Sequence, residues 1–289
     1  RLVCTPRART RLARRVHVQE VYDAIAQEWH GTRYKAWPRV VGFVSSLPAR
    51  SLVADLGCGN GKMAPACRAG GHFAIGCDIS IELVRICALQ LGMQAQAADA
   101  MAVPYRSGVF DAALSIAVLH HISSVERRRL LLSETLRVLR PGGKALFYAW
   151  AKDQQAGRSG HVFPSPDVFV PFHQRMATAK EAAAPSGPTP TAAGAARGPA
   201  GAEQKRSREE AERTAEAAAS SATAPKFDAE KRAVVHQRYC HVYAEGELRA
   251  LVESLPDAIV VDEYYDTGNW CVLVEKADVA APGAPVAVS

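Results

Sequence analysis

The sequence predicts an α/β fold with a mostly parallel sheet and an antiparallel last strand. Three observations predict it. Apolar runs of strand length alternate with helical stretches over most of the 289 residues, a pattern that gives parallel strands covered by helices. One of those runs, Val53-Ala54-Asp55-Leu56, flows directly into the glycine-rich turn Gly57-Cys58-Gly59-Asn60-Gly61. Acidic residues then recur after successive βα units, at Asp78 and Asp99.

Taken in order, residues 16–27 carry Val18, Val21, Tyr22 and Ile25 at helical spacing, which predicts a first helix. Trp37-Pro38 opens a second through 47, since proline suits the first turn of a helix. A strand at 51–56 leads into the glycine turn, and Pro65 is tolerated near the start of the helix that follows. Strand 73–78, helix 81–91, a short strand near 94–98, strand 109–116, helix 124–139 and strand 144–150 complete the alternation. Pro141-Gly142-Gly143 stops the last of these helices and turns the chain into the next strand. Residues 151–175 have few regular signals, but Phe163, Phe169, Val170 and Phe172 stand among prolines, as in an ordered loop that packs or binds. Helix 245–255, strand 258–264 and strand 269–275 form a closing αββ unit whose final hairpin supplies the antiparallel strand.

Composition divides the chain into one core and one insert. Residues 16–175 and 226–276 read as parts of a single core of the size that 48% hydrophobic residues can support. Residues 176–225 contain no aromatic residue and consist mainly of Ala, Pro, Gly, Ser, Thr, Glu, Lys and Arg, so they are expected to be a disordered insert. Residues 277–289 are expected to be a disordered tail. Residues 1–15 form a basic arm, also expected to be disordered, with six arginines and no acid before Glu20. It fits a phosphate-binding arm, the end of a transit peptide or a solvated linker. The sequence opens at Arg1 rather than methionine, as a partial or processed chain does. Seven cysteines show no Cys-x-x-Cys pair, which suits reduced, packed thiols in an intracellular protein and argues against a metal centre. No apolar run reaches the length of a membrane span.

The glycine turn is where a nucleotide-like ligand can approach the backbone, because alternate glycines remove each Cβ and allow positive φ. Its spacing is G-x-G-x-G, without the third glycine of a dinucleotide fingerprint, and Asp55 would repel a pyrophosphate. That disfavours an NAD-linked oxidoreductase and suits the ammonium group of S-adenosylmethionine. Asp78 stands about twenty residues on, where an acceptor for ribose hydroxyls is expected. Asp99 is placed to hold an adenine amino group. Turn capping is the alternative for Asp55, and helix capping for Asp99.

The chain resembles the tRNA wobble-uridine carboxymethyl methyltransferases, including the methyltransferase half of the AlkB-homologue fusion proteins. The resemblance rests on His17-Val-Gln-Glu-Val21-Tyr22, Thr32-Arg33-Tyr34-Lys35-Ala36-Trp37-Pro38, Asp55-Leu-Gly-Cys-Gly-Asn-Gly-Lys62, Ser115-Ile-Ala-Val-Leu-His120-His121, Asp167-Val-Phe-Val-Pro171 and Arg238-Tyr239-Cys-His241-Val-Tyr243-Ala-Glu-Gly-Glu-Leu248. It spans residues 16–175 and 227–275. Met63 and Phe172 differ from the aromatic residues the family would place there, and the insert is long. The glycine turn is common to class I methyltransferases, whereas the Arg33 block, the histidine pair and the Val-Phe-Val-Pro loop are more selective.

The resemblance implies a class I methyltransferase Rossmann-like sheet and S-adenosylmethionine-dependent esterification of the carboxylate of 5-carboxymethyluridine in the tRNA anticodon loop. It also implies a small zinc-ribbon methyltransferase activator as partner, for which the edge strand near 94–98 is the candidate seat, and a cytoplasmic or nuclear location. Cofactor contacts are expected from Asp55, Gly57, Cys58, Gly59, Asn60, Gly61, Asp78, Ile79, Asp99, Ala100, Ser115 and Ala117. A carboxylate is already an anion at neutral pH, so positioning matters more than general base catalysis. Arg33 is the candidate carboxylate or phosphate clamp, with His120 and His121 beside the reacting groups. Tyr34, Lys35, Trp37, Trp150 and Phe172 are candidate substrate contacts. Bland readings stand beside these: Arg33 can pair with Glu28, Trp37 and Trp150 fit core packing equally, and one of the two histidines can serve the backbone. His241 and Tyr243 fit the core or the rim of the site. A small-molecule methyltransferase of quinone or sterol type would share the glycine turn, and a non-catalytic RNA- or partner-binding subunit would lack a cofactor acid.

Overall fold

A computed structural model describes residues 14–32, 36–154, 163–175 and 225–278. Its helices are α1 (Glu20–Thr32), α2 (Pro38–Ser45), α3 (Ala64–Ala69), α4 (Ile81–Leu91), α5 (Val125–Val138) and α6 (Glu247–Glu253). Its strands are β1 (Leu52–Leu56), β2 (Phe73–Asp78), β3 (Gln94–Ala97), β4 (Phe110–Ile116), β5 (Leu139–Trp150), β6 (Asp167–Arg175), β7 (Lys226–Asp228), β8 (Ala233–His241), β9 (Ala258–Asp266) and β10 (Asn269–Lys276). Seven strands form one sheet in the order β3-β2-β1-β4-β5-β10-β9. Pairing is parallel from β3 to β5, and β10 runs antiparallel to both β5 and β9.

Both faces of this sheet are covered, which is why β1 and β4 are apolar almost throughout. Leu131, Leu132 and Leu136 of α5 pack with Leu248 and Val252 of α6 on one side. On the other, Val40 and Val44 of α2 and Cys67 of α3 meet Val53, Leu114 and Tyr148. Helix ends are fixed locally: Ser80 Oγ accepts from Leu83 N at the start of α4, and Ser124 Oγ from Arg127 N at the start of α5. Six cysteines among the described residues are buried free thiols. No helix among the described residues is long and apolar enough to cross a membrane.

Three expectations are corrected. The first helix does not end at 27: a π-helical turn, Arg15–Gln19, runs into α1, which continues to Thr32. Its Tyr22 and Trp29 pack against Leu83 and Ile86 of α4 and extend the buried face beyond the aliphatic pattern. Residues 151–175 are not all loop, because β6 pairs with β8 from Asp167↔His241 to Arg175↔Ala233. Pro171 argues against a strand, but β6 is the edge of a separate sheet, β6-β8-β7, where a missing N–H can face outward. Finally, β5 starts at Leu139 rather than 144, with a register shift after the Phe110↔Leu139 pair that absorbs the proline and glycines.

The two sheets join where Tyr243 N donates to Trp150 O and Lys152 N donates to Tyr243 O. His241 strengthens the join, with Nε2 2.7 Å from Glu247 Oε1 and Nδ1 3.1 Å from Asp167 Oδ1.

The β5 irregularity is sterically exact in one respect that can be checked. A Cβ on Gly143 would lie 2.9 Å from Arg140 O and 3.1 Å from Asp111 O, both backbone atoms. Gly143→Ala should therefore destabilise the protein by ~1–3 kcal/mol, read as a lowered denaturant midpoint with an unchanged slope.

Candidate functional site

β1 lies between β2 and β4, so the chain departs to opposite sides at this point of the sheet. Open α/β sheets bind ligands in the crevice this creates at the carboxyl ends of the strands. The turn after β1 is pinned there by Gly57 N and Cys58 N, which both donate to Cys77 O. Gly57 adopts φ +86°, and a Cβ on it would stand 2.2 Å from Val118 Cγ2. Gly61 adopts φ +75°, with Cys87 Sγ 2.5 Å from the corresponding position. Gly59 has nothing within 4 Å of its missing Cβ, so the turn presents bare backbone to open space.

Gly57, Cys58, Gly59 and Asn60 line a cavity at this edge. Asp78 and Ile79 line it from the end of β2, Asp99 and Ala100 from beyond β3, and Ala117 from beyond β4. Ala117 holds φ +64°, an uncommon conformation for a residue with a side chain. The structure does not place every expected residue in the cavity wall. Gly61 packs behind the turn against Cys87, and Ser115 is wholly buried with its Oγ unpartnered. Asp55 also sits behind the wall, at 3% exposure, with Oδ2 making no hydrogen bond. Burial is the main cause that pushes its carboxyl up to about 7, opposed by Lys62 and aided by Asp78.

The other two acids are engaged. Asp78 Oδ2 accepts from Gly59 N at 2.8 Å and Oδ1 from Ser80 N at 2.9 Å. Asp99 receives both terminal nitrogens of Arg14 at 2.6 Å and Met101 N at 3.0 Å. Burial raises the Asp99 carboxyl, but the hydrogen bonds from Arg14 and Met101 outweigh it and leave the carboxyl below its usual value. Arg14 thus lies across the cavity end that carries Asp99, a contact the sequence did not signal because 85 residues separate the pair.

The π-helical turn and α1 form the facing wall, with Val18 from the turn and Tyr22 and Trp29 from the helix. Asp23 fixes it by accepting from Ser80 Oγ at 2.6 Å and Glu82 N at 3.2 Å. Tyr22 meets the histidine pair, its hydroxyl lying 2.9 Å from His121 Nε2. Tyr239 O lies 2.8 Å from His121 Nδ1 and can only accept, so Nδ1 carries the proton and Nε2 accepts from Tyr22. Burial lowers His121 to about 4 and, with His121 and Arg238 nearby, drives His120 well below its usual value. Both rings are neutral. His120 stacks on Trp150 at 5.0 Å and 25°, and its Nδ1 accepts from Trp150 N at 3.4 Å. Cys240 completes a buried group whose ligand atoms lie within 4.8 Å of one another, but His121 has both nitrogens committed and Arg238 puts a cation beside it.

Of the candidate substrate residues, Trp150 and Phe172 are brought to this place, both near the guanidinium of Arg238. Trp37 is not: it stacks on the core ring of Tyr148 at 5.1 Å, with Lys62 on its outer face. Arg33, Tyr34 and Lys35 lie outside the described residues. His241 joins the two sheets, and Tyr243 is fully buried. Sequence reasoning missed Tyr22, Trp29 and Arg238 as site residues. Tyr22 and Trp29 share one face of α1 at i, i+7, a signal also given by ordinary core helices.

Comparison with known proteins agrees with this architecture. Residues 54–147 match the family model described as a methyltransferase domain. The chain is 36% identical to a tRNA (carboxymethyluridine(34)-5-O)-methyltransferase of Schizosaccharomyces pombe, covering 90% of this chain and 96% of that one. It is 33% identical to the Arabidopsis thaliana protein of the same name, covering 90% and 80%. A Xenopus tropicalis relative of that name is 36% identical over 91% of this chain, which spans 41% of the relative's length. Among solved structures, a Burkholderia thailandensis 1,6-didemethyltoxoflavin-N1-methyltransferase superposes with a TM-score of 0.55 at 15% identity, over 96% of this chain and 93% of that one. A Methanosarcina mazei SAM-dependent methyltransferase superposes with a TM-score of 0.51 at 14% identity, over 84% and 99%. These two show the same fold.

The state of Asp55 has a measurable consequence. The folded protein holds this proton up to about pH 7, whereas the unfolded chain releases it near 3.8. Ionisation therefore costs stability progressively between those values, and the penalty is complete above them. Asp55→Asn should raise the melting temperature of the ligand-free protein at pH 8 and leave it nearly unchanged at about pH 3.5, below the unfolded value. Equal shifts at both pH values would show that Asp55 is not a buried charge.

Proposed function

This chain belongs to the tRNA (carboxymethyluridine(34)-5-O)-methyltransferase family, and on that premise we propose that it transfers a methyl group from S-adenosylmethionine to the carboxylate of 5-carboxymethyluridine at the tRNA wobble position. The reading is a proposal about the whole protein, since the chain spans 41–44% of the vertebrate relatives it matches. The observation that carries it is the glycine turn with the buried, unpartnered Asp55 Oδ2 behind it, opening beside a neutral histidine pair.

The residues fit the cofactor. Asp55 keeps an unpartnered acceptor directly behind the turn, where it favours a cation, and the bare backbone at Gly59 leaves room for the amino-acid end. Each oxygen of Asp78 keeps a lone pair for a ribose hydroxyl, and Ala100 and Asp99 flank the remaining end of the cavity. When bound, S-adenosylmethionine supplies a methyl group on a positively charged sulfur. The protein's part is to orient and desolvate. Neutral His120 and His121 add no charge that would repel a sulfonium, and neither is needed to remove a proton from a carboxylate ionised at neutral pH. His121, with both nitrogens bonded within the protein, acts by holding Tyr22. His120 is the member of the pair that can contact a substrate.

Two surfaces support the macromolecular part of the proposal. Lys62 covers the ring of Trp37 and Arg39 that of Tyr264, giving a basic, aromatic flank of the kind that RNA uses. β3 ends the sheet, and β2 and α4 nearby expose Phe73 and Leu89. We assign that unpaired edge to the zinc-ribbon activator.

The chain should be incubated, with and without the activator, with radiolabelled S-adenosylmethionine and tRNA bearing carboxymethyluridine, unmodified tRNA serving as control. Base-labile label confined to the modified tRNA is expected. Cofactor binding with no label in either tRNA would sink the proposal. Gly57→Ala should reduce S-adenosylhomocysteine affinity by about tenfold or more, because both φ and Val118 oppose the added methyl. Adding Val118→Ala should restore only part of it, as calorimetry would show.

A further inference from the structure

We propose that Arg238, on the small second sheet, is the residue that binds the substrate carboxylate. The inference rests on the proposed methyl transfer and assigns its acceptor site. Arg238 is only 6% exposed, yet no carboxylate pairs with it among the described residues. Its Nε is buried with no hydrogen-bond partner, and Nη1 reaches only the Tyr22 hydroxyl, at 3.5 Å. A guanidinium stays charged at any ordinary pH, and burying a charge without a partner is costly. A fold that keeps such a group has a place for an anion.

The surroundings define that place. The rings of Trp29, Phe172 and Trp150 have their centroids 5.4, 5.6 and 5.9 Å from the guanidinium carbon. None of these rings carries a carboxylate to neutralise the guanidinium. His120 and His121, which the Arg238 charge helps to keep neutral, supply no competing anion. Tyr22 and Trp29 are shared with the cofactor cavity, so an anion on Arg238 lies next to the ligand that fills it. A planar carboxylate matches the guanidinium fork bidentately. Flat rings at its rim suit an unstacked base. This assigns the carboxylate clamp to Arg238, and it gives the site a direction. The acid is held by charge, whereas the ester product has lost that charge and is released more readily.

The test uses the full chain loaded with S-adenosylhomocysteine and two nucleoside probes, 5-carboxymethyluridine and its neutral carbamoylmethyl analogue. Wild type should bind the acid about tenfold or more tightly than the amide, and Arg238→Gln should erase that preference. S-adenosylhomocysteine affinity should stay unchanged and serve as the control for folding. Arg238→Lys, which keeps the charge without the fork, should retain a reduced preference and covers the case in which the glutamine variant fails to fold. With tRNA bearing carboxymethyluridine, kcat/KM of Arg238→Gln should fall by about two to three orders of magnitude. An undiminished preference in a variant that still binds S-adenosylhomocysteine would overturn the assignment. A wild-type protein that prefers the acid nucleoside but methylates no tRNA would overturn the proposed function and leave the carboxylate site standing.

Discussion

At the end of β1 the chain must keep a carboxylate out of water while leaving its backbone bare enough for a ligand to touch. Asp55 and the glycines behind it meet these demands together. Gly57 and Gly61 have no room for a side chain because Val118 and Cys87 fill the space a Cβ would need, so the turn cannot relax to hydrate the acid. Asp78 accepts from Gly59 N and ties the same turn to the end of β2. The resulting raised carboxyl is a local instability held in place by the buried central strands β1 and β4, the usual relation between a strained site and the scaffold around it.

The second sheet gives the other half of the site its form. β8 crosses the short helical turn Leu119–His121 and accepts from His121 Nδ1 through Tyr239 O. That bond fixes the tautomer, makes His121 an acceptor for Tyr22, and sets α1 against β8. Arg238 lies one residue before Tyr239 and so enters the same corner. A segment that looks peripheral in the topology thus delivers the only strongly charged group placed among Trp29, Trp150 and Phe172 in the described residues. Asp167 and Glu247 brace it from outside through His241.

Local pattern was enough to read most of the main sheet. Strand 73–78 and helix 81–91 agree with β2 and α4 to the residue, because an acid-ended apolar run and a Ser80 cap mark their limits within the sequence itself. β6 was not legible, since Pro171 argues against a strand and the pairing that permits one comes from residues 233–241. The chain from Arg15 to Thr32 was read short because aromatic Trp29 carries on a buried face that the aliphatic spacing had closed. Trp37 and Trp150 show the same limit from the other side: identical residue types that fit core packing or substrate contact equally in the sequence, one stacked on a core tyrosine and the other on His120.

The sequence by itself determined the class of fold, the glycine turn and the acids that follow the strands, because these depend on periodicity, on φ and on residues close in the chain. Only the tertiary structure decided which groups are charged, which histidine is committed to the protein, and where an anion can be held. Those properties depend on burial and on pairs such as Arg14 with Asp99 and Tyr22 with His121, 85 and 99 residues apart. Desolvation and long-range hydrogen bonds have no local signature in a chain, so Arg238 reads as one more basic residue until the fold surrounds it with rings.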